Sequence, residues 1–313
     1  MRIAPSVLCL YRTQPSCSCT RIMARSKQVN DTTAPPVPPK SSKKATSTAV
    51  KYYLFAYNTL SALGWSYILI FTLIHIFNID GKSSTVPAGA APTASSILSR
   101  VFSSVPYLKS TVSVSNLESR LPSYLVPFLR RSTTTFGRVG TATALVQSCA
   151  LLEVVHVLLG WVRSPLQTTV MQVSSRLFLV WGIVEQFEAT RTNPLYTSMV
   201  FAWSFTEVIR YSFYAANLLG YEPSVLLYLR YTTFYVLYPL GAGSEAFLIY
   251  STLPSSSPVP SWSSWVRGMW KPTDYIRAGL FGIWWPGLYV MYTHMIKQRR
   301  KVINPKSKGS KAN

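Results

Sequence analysis

Apolar residues in this chain gather into long runs, rather than recurring at the spacing of a surface helix or alternating as in a half-buried strand. The first run covers residues 52–77, YYLFAYNTLSALGWSYILIFTLIHIF. Further runs follow at about 139–159, 170–187, 195–219, 225–250 and 275–296. Crossing the hydrocarbon core as a helix takes roughly 20 apolar residues, and these runs are of that order. The pattern predicts an all-α, polytopic membrane protein, a bundle of six transmembrane helices. Tyrosines and Trp65 in the first run suit an interfacial position.

The polar stretches set the organisation. Residues 1–50 are basic and rich in Pro, Thr, Ser and Lys, which reads as a disordered arm. Their first 27 residues carry no acidic group, a composition resembling a mitochondrial transit peptide, with Met23 as an alternative start. Residues 51–298 form the predicted membrane domain, interrupted by an insert at 78–136 with no sustained apolar run. Within that insert, 121–129 suits the membrane surface. Residues 299–313 form a basic tail.

Charge sharpens this picture. The 313 residues include 31 Lys and Arg against 10 Asp and Glu, a net charge of +21. The basic residues crowd the termini and short loops between bilayer-length runs, which fits the positive-inside rule and argues against nucleic acid as a partner. An even number of spans puts both termini on the cytosolic side, and the sequon Asn30-Asp31-Thr32 is then expected to stay unglycosylated. A positive cytosolic face also attracts anionic head groups of membrane lipids or a phosphate-bearing substrate. Cys9, Cys17, Cys19 and Cys149 form neither a disulfide framework nor a zinc set, so no metal is expected. Gly241-Ala242-Gly243 lacks the third glycine and preceding strand of a dinucleotide fingerprint, and no cofactor is expected. Cys19-x5-Arg25 has phosphatase-loop spacing without the strand–loop–helix context, and three histidines are too few for a di-iron histidine box.

Carboxylates inside apolar runs are costly and mark function or pairing. Glu153, Glu185, Glu207 and Glu245 all fall in or at the ends of the runs. Glu153 and His156 share a helix face, as do Gln172 and Arg176, and Trp203, Glu207, Arg210 and Tyr214 form one stripe. Such groups are expected to point inward and pair, Glu153 or Glu207 with Arg176 or Arg210. Two readings stand: ion pairs that hold helices together, or a shared polar site. In the fifth run Tyr231, Tyr235, Tyr238 and Glu245 share one helical face, with Tyr238 and Glu245 roughly 10 Å apart at 1.5 Å per residue. Pro239, Gly241 and Gly243 predict a break or bend between them.

Together LLEVVHVLLGWVRSP (151–165), QVSSR (172–176), WSFTEVIRYSFYA (203–215) and LRYTTFYVLYPLGAGSE (229–245) resemble the very-long-chain (3R)-3-hydroxyacyl-CoA dehydratase family, also called protein tyrosine phosphatase-like A. The pieces occur in family order over about 140–297; the N-terminal arm and the insert fall outside. The resemblance implies a six-span endoplasmic-reticulum enzyme acting third in fatty-acid elongation. Its substrate would be a very-long-chain 3-hydroxyacyl-CoA, and elongase and enoyl-CoA reductase its partners. The family's catalytic tyrosine and glutamate correspond to Tyr238 and Glu245, and its other sensitive polar positions to Glu153, Gln172, Arg176, Arg210 and Gly241. The C-terminus departs from the dilysine retrieval pattern, with Gly309 and Ser310 ahead of Lys311.

Dehydration removes a weakly acidic C2 proton and protonates a poor leaving hydroxide at C3, so it needs paired acid and base. Glu245 as base and Tyr238 as acid is the working assignment; the opposite one stays open. Arg176 and Arg210 are candidates to hold the thioester oxygen or to orient Glu245. Two other functions compete: a non-catalytic scaffold of the same fold binding lipid-synthesis enzymes, and a transporter using the carboxylates as a proton relay. The intact Tyr238 and Glu245 weigh against the first, and the lack of internal repeats against the second.

Overall fold

The structure is a computed structural model that describes residues 47–83, 121–254 and 270–303. The predicted arm up to residue 46, most of the insert and most of the tail lie outside the described residues, while residues 47–50 open the first helix. Every regular element among the described residues is helical.

The long first helix, α1 (Thr48–Phe77), starts at Ser47, whose hydroxyl accepts the Val50 N–H at 3.4 Å. It ends at Asn78, which takes the left-handed conformation at φ 56° and returns its N–H to the carbonyls of Ile74 and His75. A short helix, α2 (Val126–Ser132), occupies the part of the insert expected at the membrane surface. The second apolar run becomes two nearly continuous helices, α3 (Thr135–Ser148) and α4 (Leu151–Leu158). Gly160, at φ 70°, then turns the chain as few side chains allow.

The third run is α5 (Leu166–Leu177) followed by a π-helical segment, Phe178–Val184. A one-turn helix, α6 (Glu188–Arg191), fills the expected turn. The next helix, α7 (Pro194–Leu218), opens with Asn193 accepting the Leu195 N–H at 3.0 Å and Pro194 in the first turn, where its missing N–H is not needed.

The fifth run departs from expectation twice. It divides into α8 (Ser224–Arg230) and α9 (Phe234–Ser251), so Tyr231 lies between helices and not on the stripe with Tyr238 and Glu245. Of the break or bend expected after Tyr238, the break does not form: α9 runs through Pro239 and both glycines. Proline deprives the carbonyl four residues earlier of its partner, and that carbonyl, of Tyr235, accepts instead from the Tyr292 hydroxyl at 3.4 Å. Tyr292 belongs to the last helix, α10 (Pro272–Ile303).

The helices pack side by side: α3 against α1, α1 along α7, α7 along α9, and α9 along α10. Trp65, Ile68, Leu179, Ile183, Met199, Val200, Leu248 and Ile249 fill the centre. Polar and apolar residues are distributed inside out. Asn58, Thr72, His75, Gln147 and Glu207 are buried, whereas Leu60 (68% exposed) and Ile283 (67%) face outward. That is the arrangement a bilayer selects, since lipid accepts apolar surface and rejects unpaired charge. Among the described residues, two helical stretches are long and apolar enough to cross a membrane, Thr48–Phe77 and Thr135–Leu158. The others carry the polar groups described next, or are rich in Tyr, Trp, Gly and Pro, which dilutes their apolar character.

Candidate active site

The carboxylate of Glu207, 1% exposed, stands at the centre of a chain of charges. Arg176 of α5 donates to one oxygen, and Arg210, one turn along α7, donates its Nε to the other at 2.6 Å. Arg210 then turns its two terminal nitrogens to Glu153 of α4, at 2.8 and 3.2 Å. The neighbouring Tyr211 hydroxyl also donates to Glu153. Three helices are thereby joined by alternating charge, the pairing foreseen for Glu153, Glu207, Arg176 and Arg210. All three donor nitrogens of Arg210 are engaged, whereas Arg176 gives one nitrogen to Glu207 and keeps its remaining donors.

Arg176 also lies over Trp203, its guanidinium carbon 4.8 Å from the ring centroid. The Trp203 indole N–H donates to Glu245 Oε1 at 2.6 Å, and the Trp284 indole N–H of α10 donates to Oε2 at 3.2 Å. Glu245 is therefore linked to the charge chain through an aromatic ring rather than a salt bridge. Both of its partners donate, leaving its oxygens as acceptors, which suits an ionised carboxylate.

Tyr238 sits two turns before Glu245 on α9, roughly 10 Å away at 1.5 Å per residue. Its ring lies nearly parallel to that of Tyr292, with centroids 6.4 Å apart and planes 20° apart. The Tyr238 hydroxyl has no protein partner among the described residues. Arg176 is close enough to act electrostatically on both Tyr238 and Glu245. Gly241 lies between the two on α9 and is buried; a Cβ there would come within 3.4 Å of Ala202 Cβ and 3.9 Å of Trp203 Cδ1.

Among the residues expected from sequence, Glu153, Gln172, Arg176 and Arg210 line one narrow polar cleft together with Glu207 and Tyr211. Tyr238, Glu245 and Gly241 are not in its wall; Glu245 is joined to it through Trp203 and Arg176. Glu185 stands apart from this group, beside Tyr196. His156 lies three residues from Glu153 on the same helix, as expected, and pairs with the Tyr53 hydroxyl at 3.0 Å. Sequence reasoning missed Trp284 and Tyr292 on α10 and Tyr211 on α7. Tyr211 was within reach, being next to Arg210 in a stripe already singled out. Trp284 carried no signal, since an indole in an apolar run reads as lipid-facing. Among the described residues no group of His, Cys, Asp and Glu is arranged to hold a metal.

The all-helical bundle thus carries a phenol and a carboxylate on one helix, beside two half-buried arginines. A family model described as "Protein tyrosine phosphatase-like protein, PTPLA" matches residues 147–305, and the chain belongs to that family. It is 44% identical over 168 residues to the "Probable very-long-chain (3R)-3-hydroxyacyl-CoA dehydratase" of Schizosaccharomyces pombe, covering 53% of this chain and 76% of that one. Identity is also 44%, over 172 residues, to "Very-long-chain (3R)-3-hydroxyacyl-CoA dehydratase PASTICCINO 2A" of Oryza sativa, covering 54% and 78%. The "Very-long-chain (3R)-3-hydroxyacyl-CoA dehydratase hpo-8" of Caenorhabditis elegans is 32% identical over 271 residues, covering 83% of this chain and 98% of the relative. No solved structure matches the chain.

Proposed function

We propose that this chain is a very-long-chain (3R)-3-hydroxyacyl-CoA dehydratase of the fatty-acid elongation cycle, a hydro-lyase that forms the trans-2-enoyl-CoA. The observation that carries the reading is the disposition on α9: Glu245 gripped only by donors, and Tyr238 two turns away with a free hydroxyl. The family's relatives bear the dehydratase name. Glu245, as carboxylate, takes the C2 proton, and the electron pair of that C–H bond becomes the C2=C3 double bond. The C3–O bond breaks, and the departing oxygen takes the Tyr238 proton to leave as water. Return of the proton from Glu245 to the tyrosinate closes the cycle, so the net change is loss of one water.

Arg176 is the arginine we assign to the thioester oxygen, because it commits one nitrogen to Glu207 while all three nitrogens of Arg210 are engaged by Glu153 and Glu207. Stabilising the negative charge that builds on that oxygen is the largest help an enzyme gives such a proton removal. Gln172, exposed at the mouth of the cleft, is assigned to substrate contact. We place the protein in the endoplasmic-reticulum membrane as six spans with both termini cytosolic, working beside the elongase and reductase that make its substrate and use its product. The inside-out distribution of polar residues supports this topology.

The test is dehydration of a long-chain (3R)-3-hydroxyacyl-CoA by the purified full chain, followed as enoyl-CoA formation. Tyr238→Phe and Glu245→Gln are each expected to lower turnover at least a thousandfold while the protein keeps its thermal midpoint. Near-normal turnover in either variant refutes the mechanism. Absence of any dehydration by the native chain refutes the activity and leaves the scaffold reading.

A further inference from the structure

We infer that Trp203 and Trp284 act as an indole grip that orients the Glu245 carboxylate for proton removal, with Arg176 fixing Trp203 in turn. The inference rests on the reading of Glu245 as the base.

The two indoles come from different helices and divide the carboxylate between them, Trp203 on Oε1 at 2.6 Å and Trp284 on Oε2 at 3.2 Å. A glutamate side chain has three rotatable bonds, and two donors fixed on separate helices remove that freedom. Each oxygen keeps a further lone pair, one of which faces the substrate proton. Indole is a donor only, so neither partner can reverse its hydrogen bond and turn the carboxylate away. Nor does it carry charge: an arginine in the same place would hold Glu245 as firmly but weaken it as a base. The ring bodies are themselves apolar, which keeps the grip cheap to bury.

Trp203 is 2% exposed, with the Arg176 guanidinium over its face. Gly241 leaves space beside its Cδ1 edge that a long side chain would enter, a Cβ alone reaching only ordinary contact at 3.9 Å. Trp284 is fixed by the docking of α10 along α9, and the two helices match in register. Trp284 meets Glu245, and eight residues later Tyr292 stacks on Tyr238, seven residues before Glu245 on α9. The last helix thus reaches both members of the acid–base pair.

The test compares Trp203→Phe and Trp284→Phe in the purified full chain. Loss of a hydrogen bond to a charged group predicts that kcat falls about tenfold to a hundredfold for Trp203→Phe. For Trp284→Phe, whose bond is longer, about threefold to tenfold is expected. KM and the thermal midpoint stay close to native in both. In a Glu245→Asp background, whose shorter carboxylate no longer reaches both donors, Trp203→Phe costs little more. Gly241→Leu, which forces Trp203 aside, reproduces the Trp203→Phe kinetics.

A second readout needs no activity. With tryptophan labelled by 15N at the indole, Glu245→Gln moves two indole N–H resonances, identified by their loss in the two Phe variants. Unmoved resonances overturn the grip, as do kcat values within twofold of native, losses confined to KM, or full additivity with Glu245→Asp. If native turnover is present and Glu245→Gln retains it, the base assignment fails instead. The resonance shifts then still report whether the indoles hold that carboxylate.

Discussion

Replacing Glu207 by Gln isolates what the charge chain contributes. The native carboxylate is 1% exposed and accepts from two guanidiniums, one per oxygen. Glutamine keeps the shape but offers one acceptor oxygen, and its amide group faces the other arginine as a donor. Removing one partner of a buried ion pair leaves an uncompensated charge and costs about 3–5 kcal/mol. Glu153→Gln is the control: Glu153 is 18% exposed, and Arg210 keeps its bond to Glu207 when Glu153 is changed. Its loss is that of hydrogen bonds to a charged group, about 1.5–3 kcal/mol. For a folded unit of roughly 200 residues, 1 kcal/mol moves the midpoint by about 2–4 °C. Glu207→Gln is therefore expected to melt on the order of 10 °C below native in detergent, and Glu153→Gln distinctly less. Adding Arg176→Met to Glu207→Gln removes the orphaned cation and recovers part of the loss. A Glu207→Gln midpoint within about 2 °C of native, or a Glu153→Gln midpoint just as low, refutes this ordering of the two carboxylates.

Other outcomes follow from the same contacts. Arg176→Lys keeps the charge but loses the planar fork that spans Glu207 and Trp203; kcat should fall about tenfold or more, with Arg210→Lys acting mainly on the thermal midpoint. Equal kinetic losses in the two would remove the distinction drawn between the arginines. Gly241→Ala meets ordinary van der Waals distances at Ala202 and Trp203 and should keep kcat within about threefold. A complete loss would mean that the glycine serves the substrate directly. Leu248→Ala, at a fully buried position, should cost about 2–5 kcal/mol, whereas Val236→Ala, 70% exposed on the same helix, should stay within about 0.5 kcal/mol. Matched losses at the two positions would mean that α9 is not oriented as described.

Much of the bundle was legible because bilayer-length apolar runs need no tertiary information to be recognised. The pairing of Glu153, Glu207, Arg176 and Arg210 was legible for a related reason: charge inside such runs has few partners to choose from. The misreadings share a cause. Pro239 predicts a break or bend because its local effect is to free a carbonyl; Tyr292, 53 residues on, supplies that carbonyl with a donor and the helix continues. Tyr231 fell off the stripe because the chain leaves the helix between Arg230 and Phe234, where no proline or glycine marks the change. Trp284 was invisible because only the docking of α10 makes its N–H an inward donor. In each case a residue on another helix decides what a local pattern does.

The way the arginines are shared explains why Glu245 relies on indoles. Arg210 serves Glu153 and Glu207 at once, and Arg176 goes to Glu207 as well. The chain Glu153–Arg210–Glu207–Arg176 thereby commits both arginines to those two carboxylates. Glu245 is left with no salt bridge among the described residues, yet it is not left without donors. Neutral N–H groups solvate a carboxylate as water would, and do so without cancelling the charge that lets it accept a proton. Arg176 stands one ring away and is tethered to Glu207; under the proposed mechanism it is placed to answer negative charge on a substrate between Tyr238 and Glu245 without pairing with the base. On this view the buried ion pairs, which by themselves could be taken for helix glue, keep the arginines occupied. Cutting the tether at Glu207 should therefore lower kcat by more than the loss of stability accounts for, even at temperatures where the variant is fully folded.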